Sequence, residues 1–162
     1  MARQDKGGTI PIIKHEISIH APIQVCFDLA RTVEVHAGKT LLTKQIAIDG
    51  VTFGLMELGD FVTWETIHLG MKQKFSSKIV EMVKPYRFTD AIVYGVFHTF
   101  THTHEFIERG SETIMKDTIS FKSPLGILGK VADHLFLKRY MRHYIAHQAQ
   151  KVKRGAEATK YS

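Results

Sequence analysis

Three histidines and two phenylalanines share one face of a predicted β-strand between residues 97 and 106. The stretch reads FHTFTHTHEF. Because successive side chains of a strand point to opposite faces, one face carries His98, Phe100, His102, His104 and Phe106. Phe97 takes the opposite face. Aromatic rings mixed with imidazoles are typical of a small-molecule pocket, which is mostly apolar but carries a few polar groups that orient the ligand.

Imidazoles two residues apart could also bind a metal ion. A catalytic zinc site needs about three protein ligands and an open position, and His102 and His104 supply two. His98 lies roughly 13 Å from His102 along an extended strand, too far to share an ion with both others. A third ligand would have to come from another strand, such as His68 or Asp117. We therefore predict cavity-lining histidines, with no metal site and no cofactor.

Acid–base catalysis is the other chemistry that these residues could perform. Histidine titrates near neutral pH, so His102 or His104 beside Asp117 or Asp90 could move protons on an enolisable substrate. Strand alternation puts Asp117 on an apolar face, where an imidazole would be its natural partner. A structural His–Asp pair explains the pattern equally well. The sequence therefore does not decide whether any residue is catalytic; the candidates are His102, His104 and Asp117.

Length and composition indicate one folded domain. The chain has 162 residues, 44% of them hydrophobic and 23% charged, as in ordinary globular proteins. We predict a single domain over residues 9–154, with terminal tails over 1–8 and 155–162. The only cysteine, Cys26, cannot form an internal disulfide, and the sequence shows no secretory signal or membrane-spanning run. We expect a cytoplasmic protein.

Basic residues outnumber acidic ones by 22 to 16, which gives a formal net charge of +6. Much of the excess lies toward the C-terminus, at Lys138, Arg139, Arg142, Lys151, Lys153, Arg154 and Lys160. A nucleic-acid surface would interleave such residues with exposed stacking aromatics, so we predict a solvated helix face and no nucleic-acid partner. Transient contact with an acidic membrane surface or a protein is a further option. The sequence leaves the oligomeric state open.

The elements that must position these residues are mostly short strands. Residues 10–19 predict a first strand, and after Pro22 helical spacing runs through 23–31, with a short turn over 32–36. Further strands are predicted over 42–48, 53–58, 61–69, 71–83, 86–94, 97–107 and 113–121. Links this short join antiparallel neighbours, because a parallel pair needs a longer crossover.

One face of this sheet must be covered, and the C-terminal segment is the candidate. Residues 71–83 alternate between polar and less polar side chains, as in a sheet with one wet and one covered face. The C-terminal segment carries two apolar stripes rotated by roughly a quarter turn: Leu128, Val131, Ala132 and Leu135, then Leu137, Met141, Tyr144, Ile145 and Val152. A straight helix cannot direct both at one sheet. We predict a bend or a short preceding helix, with the change near Leu137 and Lys138.

This order of elements resembles the helix-grip fold, and the chain resembles the SRPBCC superfamily. That superfamily includes START lipid-transfer domains, birch-pollen allergen-like proteins and polyketide cyclase/dehydrase families. The matching pieces are residues 19–23 (IHAPI) with 25–30 (VCFDLA), 58–60 (LGD), 62–65 (VTWE), 68–70 (HLG), 88–90 (FTD), 95–97 (GVF), 102–106 (HTHEF), 113–117 (TIMKD) and 124–126 (PLG).

The resemblance implies an α+β fold in which a curved antiparallel sheet of about six or seven strands grips the C-terminal helix around a cavity. It implies binding of a hydrophobic small molecule or lipid. The alternative is a cyclase or dehydratase that acts on a polyketide-like or aromatic substrate through His/Asp acid–base catalysis. The predicted ligand contacts are Trp64, His68, Phe75, Phe88, His98, Phe100, His102, His104, Phe106, Met115, Asp117, Met141 and Ile145.

Overall fold

The computed structural model describes residues 10–39, 43–68, 70–122 and 136–159, and of His68 only the backbone. Eight strands follow one another as β1 (Ile12–Ile19), β2 (Gly38–Lys39), β3 (Thr43–Gly50), β4 (Phe61–His68), β5 (Met71–Val83), β6 (Arg87–Tyr94), β7 (Thr99–Arg109) and β8 (Glu112–Lys122). Two short helices, α1 (Ile23–Ala30) and α2 (Val33–His36), follow β1, and α3 (Lys138–Ala158) comes last. No helix in these described ranges is long and apolar enough to cross a membrane.

The strands form one antiparallel sheet in the order β1-β8-β7-β6-β5-β4-β3-β2. The predicted antiparallel arrangement is confirmed, and β1 pairs with β8, so the first strand lies beside the last. The resemblance implied a sheet of about six or seven strands, and the described residues form eight. One of these is β2, whose two residues pair with β3 and are too short a run for periodicity to reveal. Register shifts in β3 and β5 interrupt the ladders, and such bulges bend a strand.

The strand predicted over residues 53–58 is wrong. Gly54 has a φ of 85° and its carbonyl accepts a hydrogen bond from the amide of Val33, while the amide of Met56 bonds to the carbonyl of Arg31. Only one isolated bridge, between Thr32 and Leu55, has strand geometry. The segment therefore pairs with the connection between α1 and α2, and not with the sheet.

Helix α3 packs its apolar face against the sheet. Met141, Ile145 and Val152 are buried, as the second predicted stripe requires. The helix begins at Lys138, where the change of stripe was predicted, and the residues of the first stripe lie outside the described ranges. It continues to Ala158 with Ala156 buried, so residues 155–158 are helical although the sequence assigned them to a tail.

Two lysines of α3 attach the helix to its surroundings. Nζ of Lys151 donates hydrogen bonds to the carbonyls of Val35 and Ala37, each 2.9 Å long. Nζ of Lys153 donates to the carbonyl of Ser18 at 2.8 Å. Part of the basic charge predicted for this helix is therefore used within the fold, where it satisfies carbonyls at strand and helix ends.

The buried apolar residues divide into two groups. The larger surrounds α1 and contains Phe27, Phe88, Phe106 and Met115. The smaller lies under the start of α3 and contains residues such as Phe100 and Ile145. Polar side chains of the central strands lie between the two groups.

Candidate functional site

A row of polar side chains crosses the inner face of four adjacent strands, between the two apolar groups. We call it the polar band; its members are His15 on β1, Asp117 on β8, His102 and His104 on β7 and Asp90 on β6. On each strand the neighbours two residues away are apolar. On β7, for example, Phe100 belongs to the smaller group and Phe106 to the larger.

Sheet register brings these side chains together. Asp90 pairs with His102, His104 pairs with Asp117, and Asp117 in turn pairs with His15. Directly opposed residues of antiparallel strands project to the same side with their Cβ atoms about 5 Å apart, so short polar side chains can meet. The alternation along each strand then keeps all five on the covered face.

Asp117 is the centre of the band. The residue is 2% exposed, and its Oδ1 lies 3.1 Å from Nε2 of His102 and 2.7 Å from Nδ1 of His104. The His102 contact is a hydrogen bond, and the His104 contact is an ion pair. A buried carboxylate requires such partners, because an unpaired charge in the interior is costly. The sequence prediction that Asp117 points inward is confirmed.

His104 lies between two carboxylates. Its Nε2 is 3.6 Å from Oδ1 of Asp90, on the opposite side of the ring from Asp117. One face of the imidazole stacks on Phe88, with ring centroids 4.3 Å apart, and the ring of His102 lies 3.9 Å away. These two ring contacts restrict the ring plane of His104 and therefore the direction of each of its nitrogens.

Neighbouring charges and burial shift the pKa values of the buried groups in different directions. Burial alone would lower the pKa of His104, but Asp117 and Asp90 outweigh it and raise the pKa to about 9. Burial would raise the pKa of Asp117, but the adjacent imidazoles hold it well below its usual range. Burial and repulsion by His104 lower the pKa of His36 to about 4. At neutral pH, His104 is charged and His36 is neutral.

A cavity of about 590 Å³ lies between the sheet, the two short helices and the start of α3. Apolar side chains supply most of its wall, including Val62, Ile79 and Ile92. Asp90, His102 and His104 form its polar end. The volume falls in the range of small-molecule sites, about 300–1,000 Å³, and far exceeds the space that one water needs.

Seven of the thirteen predicted ligand contacts line this cavity: Trp64, Phe75, Phe88, Phe100, His102, His104 and Met141. Phe106, Met115 and Ile145 are buried in the apolar groups and do not line it. Asp117 lies behind the two histidines, and the side chain of His68 lies outside the described residues.

His98 does not belong to the wall. It is exposed, whereas Phe97, which strand alternation assigned to the opposite face, lines the cavity. The reason is that β7 begins only at Thr99, after a turn in which Gly95 has a φ of 151°. An alternation of two applies only within a strand and cannot be extended through that turn.

Sequence reasoning missed three polar wall residues, Arg31, His36 and Gln45. Tyr140 and Tyr144, whose spacing on the C-terminal helix allowed either a cap on the cavity or simple packing, also line the cavity. His36 closes a helix of four residues, too short to show a periodic pattern. Arg31 is 6% exposed and pairs with Asp28 and Glu57, and a single arginine after a helix gives no signal of such burial.

Three members of the polar band have the composition of a metal site. Asp90, His102 and His104 each place one potential donor atom within 4.8 Å of the others. The sequence suggested His68 or Asp117 as a third ligand beside the two histidines. The structure places Asp90 there, since it lies directly opposite His102 on β6.

Solved structures with the same architecture come from bacteria and plants. A protein of Thermus thermophilus aligns with a TM-score of 0.71 and 16% identity, covering 92% of this chain and 99% of that one. A START superfamily protein of Mycobacterium smegmatis aligns with a TM-score of 0.68 and 10% identity, over 91% and 98% of the two chains.

Plant proteins are similar too. The major latex-like protein 151 of Panax ginseng aligns with a TM-score of 0.64 and 15% identity, over 96% of this chain and 100% of that one. No protein-family model matches the sequence, and no curated protein is significantly similar to it. Identities this low support the architecture only. The predicted arrangement is thereby confirmed: the chain has the helix-grip fold that it shares with START and major latex-like proteins.

Proposed function

We propose that this protein binds a hydrophobic small molecule or lipid in the cavity between the sheet and α3. The single observation that carries the proposal is the 590 Å³ space, which the side chains of the described residues leave unfilled, whereas protein interiors are ordinarily close-packed. Burial of apolar ligand surface at about 25 cal/mol per Å² would supply the affinity. The helix-grip architecture of the neighbouring START and major latex-like structures supports the same function.

The polar end of the cavity restricts the ligand's chemistry. Asp90 and Asp117 are carboxylates with lowered pKa values, and His104 is the imidazolium between them. Two negative charges around one positive charge disfavour an anionic group at this end. A neutral hydroxyl or carbonyl can instead exchange hydrogen bonds with His102 and Asp90. A ligand group that lies at this end is therefore neutral and polar, while most of the remaining wall is apolar.

Fluorescence of the neutral probe N-phenylnaphthylamine tests the proposal, with decanol as a competitor. We expect saturable binding of the probe and its displacement by decanol. Met141→Trp, which adds a large ring to the wall, should reduce probe affinity at least about tenfold, because overpacking removes the space the ligand needs. Met71→Trp is the matched control, since Met71 is 62% exposed and does not line the cavity. Equal binding by both variants would overturn the proposal.

Acid–base catalysis on a polyketide-like or aromatic substrate is the second candidate. The favouring observation is that His104 contacts Asp117 through Nδ1 while its Nε2 faces Asp90 at the cavity wall. An enolisable substrate in the cavity would lie beside a histidine whose orientation a buried carboxylate fixes. Incorporation of solvent deuterium into an enolisable aromatic ketone tests it. Exchange should be lost in Asp90→Asn and retained in His98→Ala; no exchange by the unmodified protein would exclude this candidate.

A further inference from the structure

We propose that Asp90, His102 and His104 together bind one divalent transition-metal ion at the wall of the cavity, with a coordination position open to the interior. The three side chains come from two adjacent strands and supply two imidazole nitrogens and one carboxylate oxygen. Two histidines, one carboxylate and an open position are a ligand set typical of zinc and iron(II) sites.

The donor spacing suits an ion. Nε2 of His104 and Oδ1 of Asp90 are 3.6 Å apart, too far for a good hydrogen bond. Two ligand atoms that each lie about 2.0–2.2 Å from a tetrahedral ion are separated from one another by about 3.3–3.6 Å. The distance between these two donor atoms therefore matches the distance between two ligand atoms that bind one ion. All three donors fall within 4.8 Å, so only small side-chain adjustments are needed.

Asp117 holds both imidazoles from behind. Its Oδ1 contacts Nδ1 of His104 and Nε2 of His102, so Asp117 occupies one ring nitrogen of each histidine, while Nε2 of His104 faces Asp90. Metal-binding histidines usually make such a contact from their second nitrogen to a carboxylate, which fixes the ring and strengthens the ligand. The stacking of His104 on Phe88 adds a second constraint on orientation.

The open position gives the site a chemical role. His36 lines the same cavity and its Nε2 lies 2.6 Å from the carbonyl of Ala30, but it does not belong to the set of donors that lie within 4.8 Å of one another. A divalent ion at the three donors would displace the proton of His104, so it would add one net positive charge beside the two carboxylates. The polar end of the cavity would then accept a carbonyl or anionic oxygen from a bound molecule, which could complete the coordination sphere.

Zinc titration of the chelator-treated full-length protein, followed by calorimetry, tests the proposal. We expect one Zn²⁺ per chain with micromolar or tighter affinity. Cobalt(II) should bind at the same stoichiometry and give the visible absorption of a four- or five-coordinate ion. Asp90→Asn and His102→Ala should each weaken zinc binding at least about tenfold, and Asp117→Asn should weaken it about 10–100-fold as a supporting residue.

Two exposed histidines provide matched controls. His98→Ala and His143→Ala remove imidazoles outside the cavity and should leave the zinc affinity unchanged. Asp90→Asn preserves side-chain size at the cavity wall, so its zinc affinity tests the metal site even if His102→Ala fails to fold. No saturable binding by the unmodified protein, or equal binding by Asp90→Asn, would overturn the proposal. Binding of N-phenylnaphthylamine by the zinc-free protein tests the hydrophobic-ligand proposal separately, so failure of the metal site and failure of the ligand cavity can be distinguished.

Discussion

Oδ1 of Asp117 lies 2.7 Å from Nδ1 of His104, and both residues are almost completely buried, at 2% and 4% exposure. The pair joins the middle of two neighbouring strands at the point where the apolar interior divides into two groups. Well-packed apolar residues could fill that position at lower desolvation cost, so a buried ion pair is weak evidence for a purely stabilising role. Its position behind the cavity wall is consistent with holding His104 in place.

Removal of the Asp117 charge should destabilise the fold strongly. Asp117→Asn removes the carboxylate that is hydrogen-bonded to His102 and lies nearest to His104, and loss of one partner of a buried pair costs about 3–5 kcal/mol. Urea unfolding gives the change in the free energy of unfolding. Asp49→Asn is the control, because Asp49 is exposed and an amide oxygen can still accept from Gly50. A loss below about 1 kcal/mol for Asp117→Asn would contradict the pairing.

Stability of the metal-free protein should fall above neutral pH. The pKa of His104 in the fold, about 9, lies above its ordinary value of 6.5, so its contribution is complete below about 6.5 and is lost as pH rises toward 9. The pKa of Asp117 is lowered, so its contribution is present above its ordinary value of 3.8 and is lost in acid.

The other titratable groups of the band and the surrounding wall are His15, Arg31, His36, Lys74, Asp90, His102, Tyr140 and Tyr144. The lowered pKa of His36 favours the folded state above its ordinary value and thus opposes the decline that His104 causes. Urea midpoints measured with a chelator at pH values between 6 and 9 give the net slope. Asp117→Asn should flatten the decline, because His104 then loses its principal carboxylate. A midpoint that rises throughout this interval would contradict the assignment.

Removal of an imidazole at the cavity wall should affect polar ligands more than apolar ones. His102→Ala deletes a hydrogen-bonding group at the polar end, and a neutral hydrogen bond contributes about 0.5–1.5 kcal/mol. Decanol affinity should fall about 2–10-fold, while N-phenylnaphthylamine affinity changes little. Competition titrations give both constants. Equal losses for the two molecules would indicate a general disturbance of the cavity, and His98→Ala provides the unaffected reference.

The thiol of Cys26 should be unreactive in the folded protein. The residue is 0% exposed, burial raises its pKa, and Sγ lies 3.8 Å from the carbonyl of Ala21 as its hydrogen-bond donor. A protonated, inaccessible thiol reacts slowly with alkylating agents. Iodoacetamide labelling followed by mass spectrometry should therefore be orders of magnitude slower at neutral pH than in urea. Rapid labelling without urea would show that α1 is not packed as described.

The sequence predicted the sheet well because alternation of side chains is a direct consequence of strand geometry. The bounds of β5 agree with the prediction, and the inward direction of Asp117 follows from parity. The position of Asp90 opposite His102 did not follow, since the register between β6 and β7 depends on the path of the connection that joins them. The position of His36 in the cavity wall could not be predicted either, because the path of the chain around α2 determines which residues His36 contacts.

Methyl NMR of the methionines tests the central claim most directly. Met56 and Met141 line the cavity, Met115 is buried in the apolar core away from it, and Met71 is exposed on β5. Titration with decanol should shift the Met56 and Met141 methyl signals saturably, while the Met71 signal stays in place. A saturable shift confined to Met71, or none at any methionine, would contradict a ligand-binding cavity between the sheet and α3.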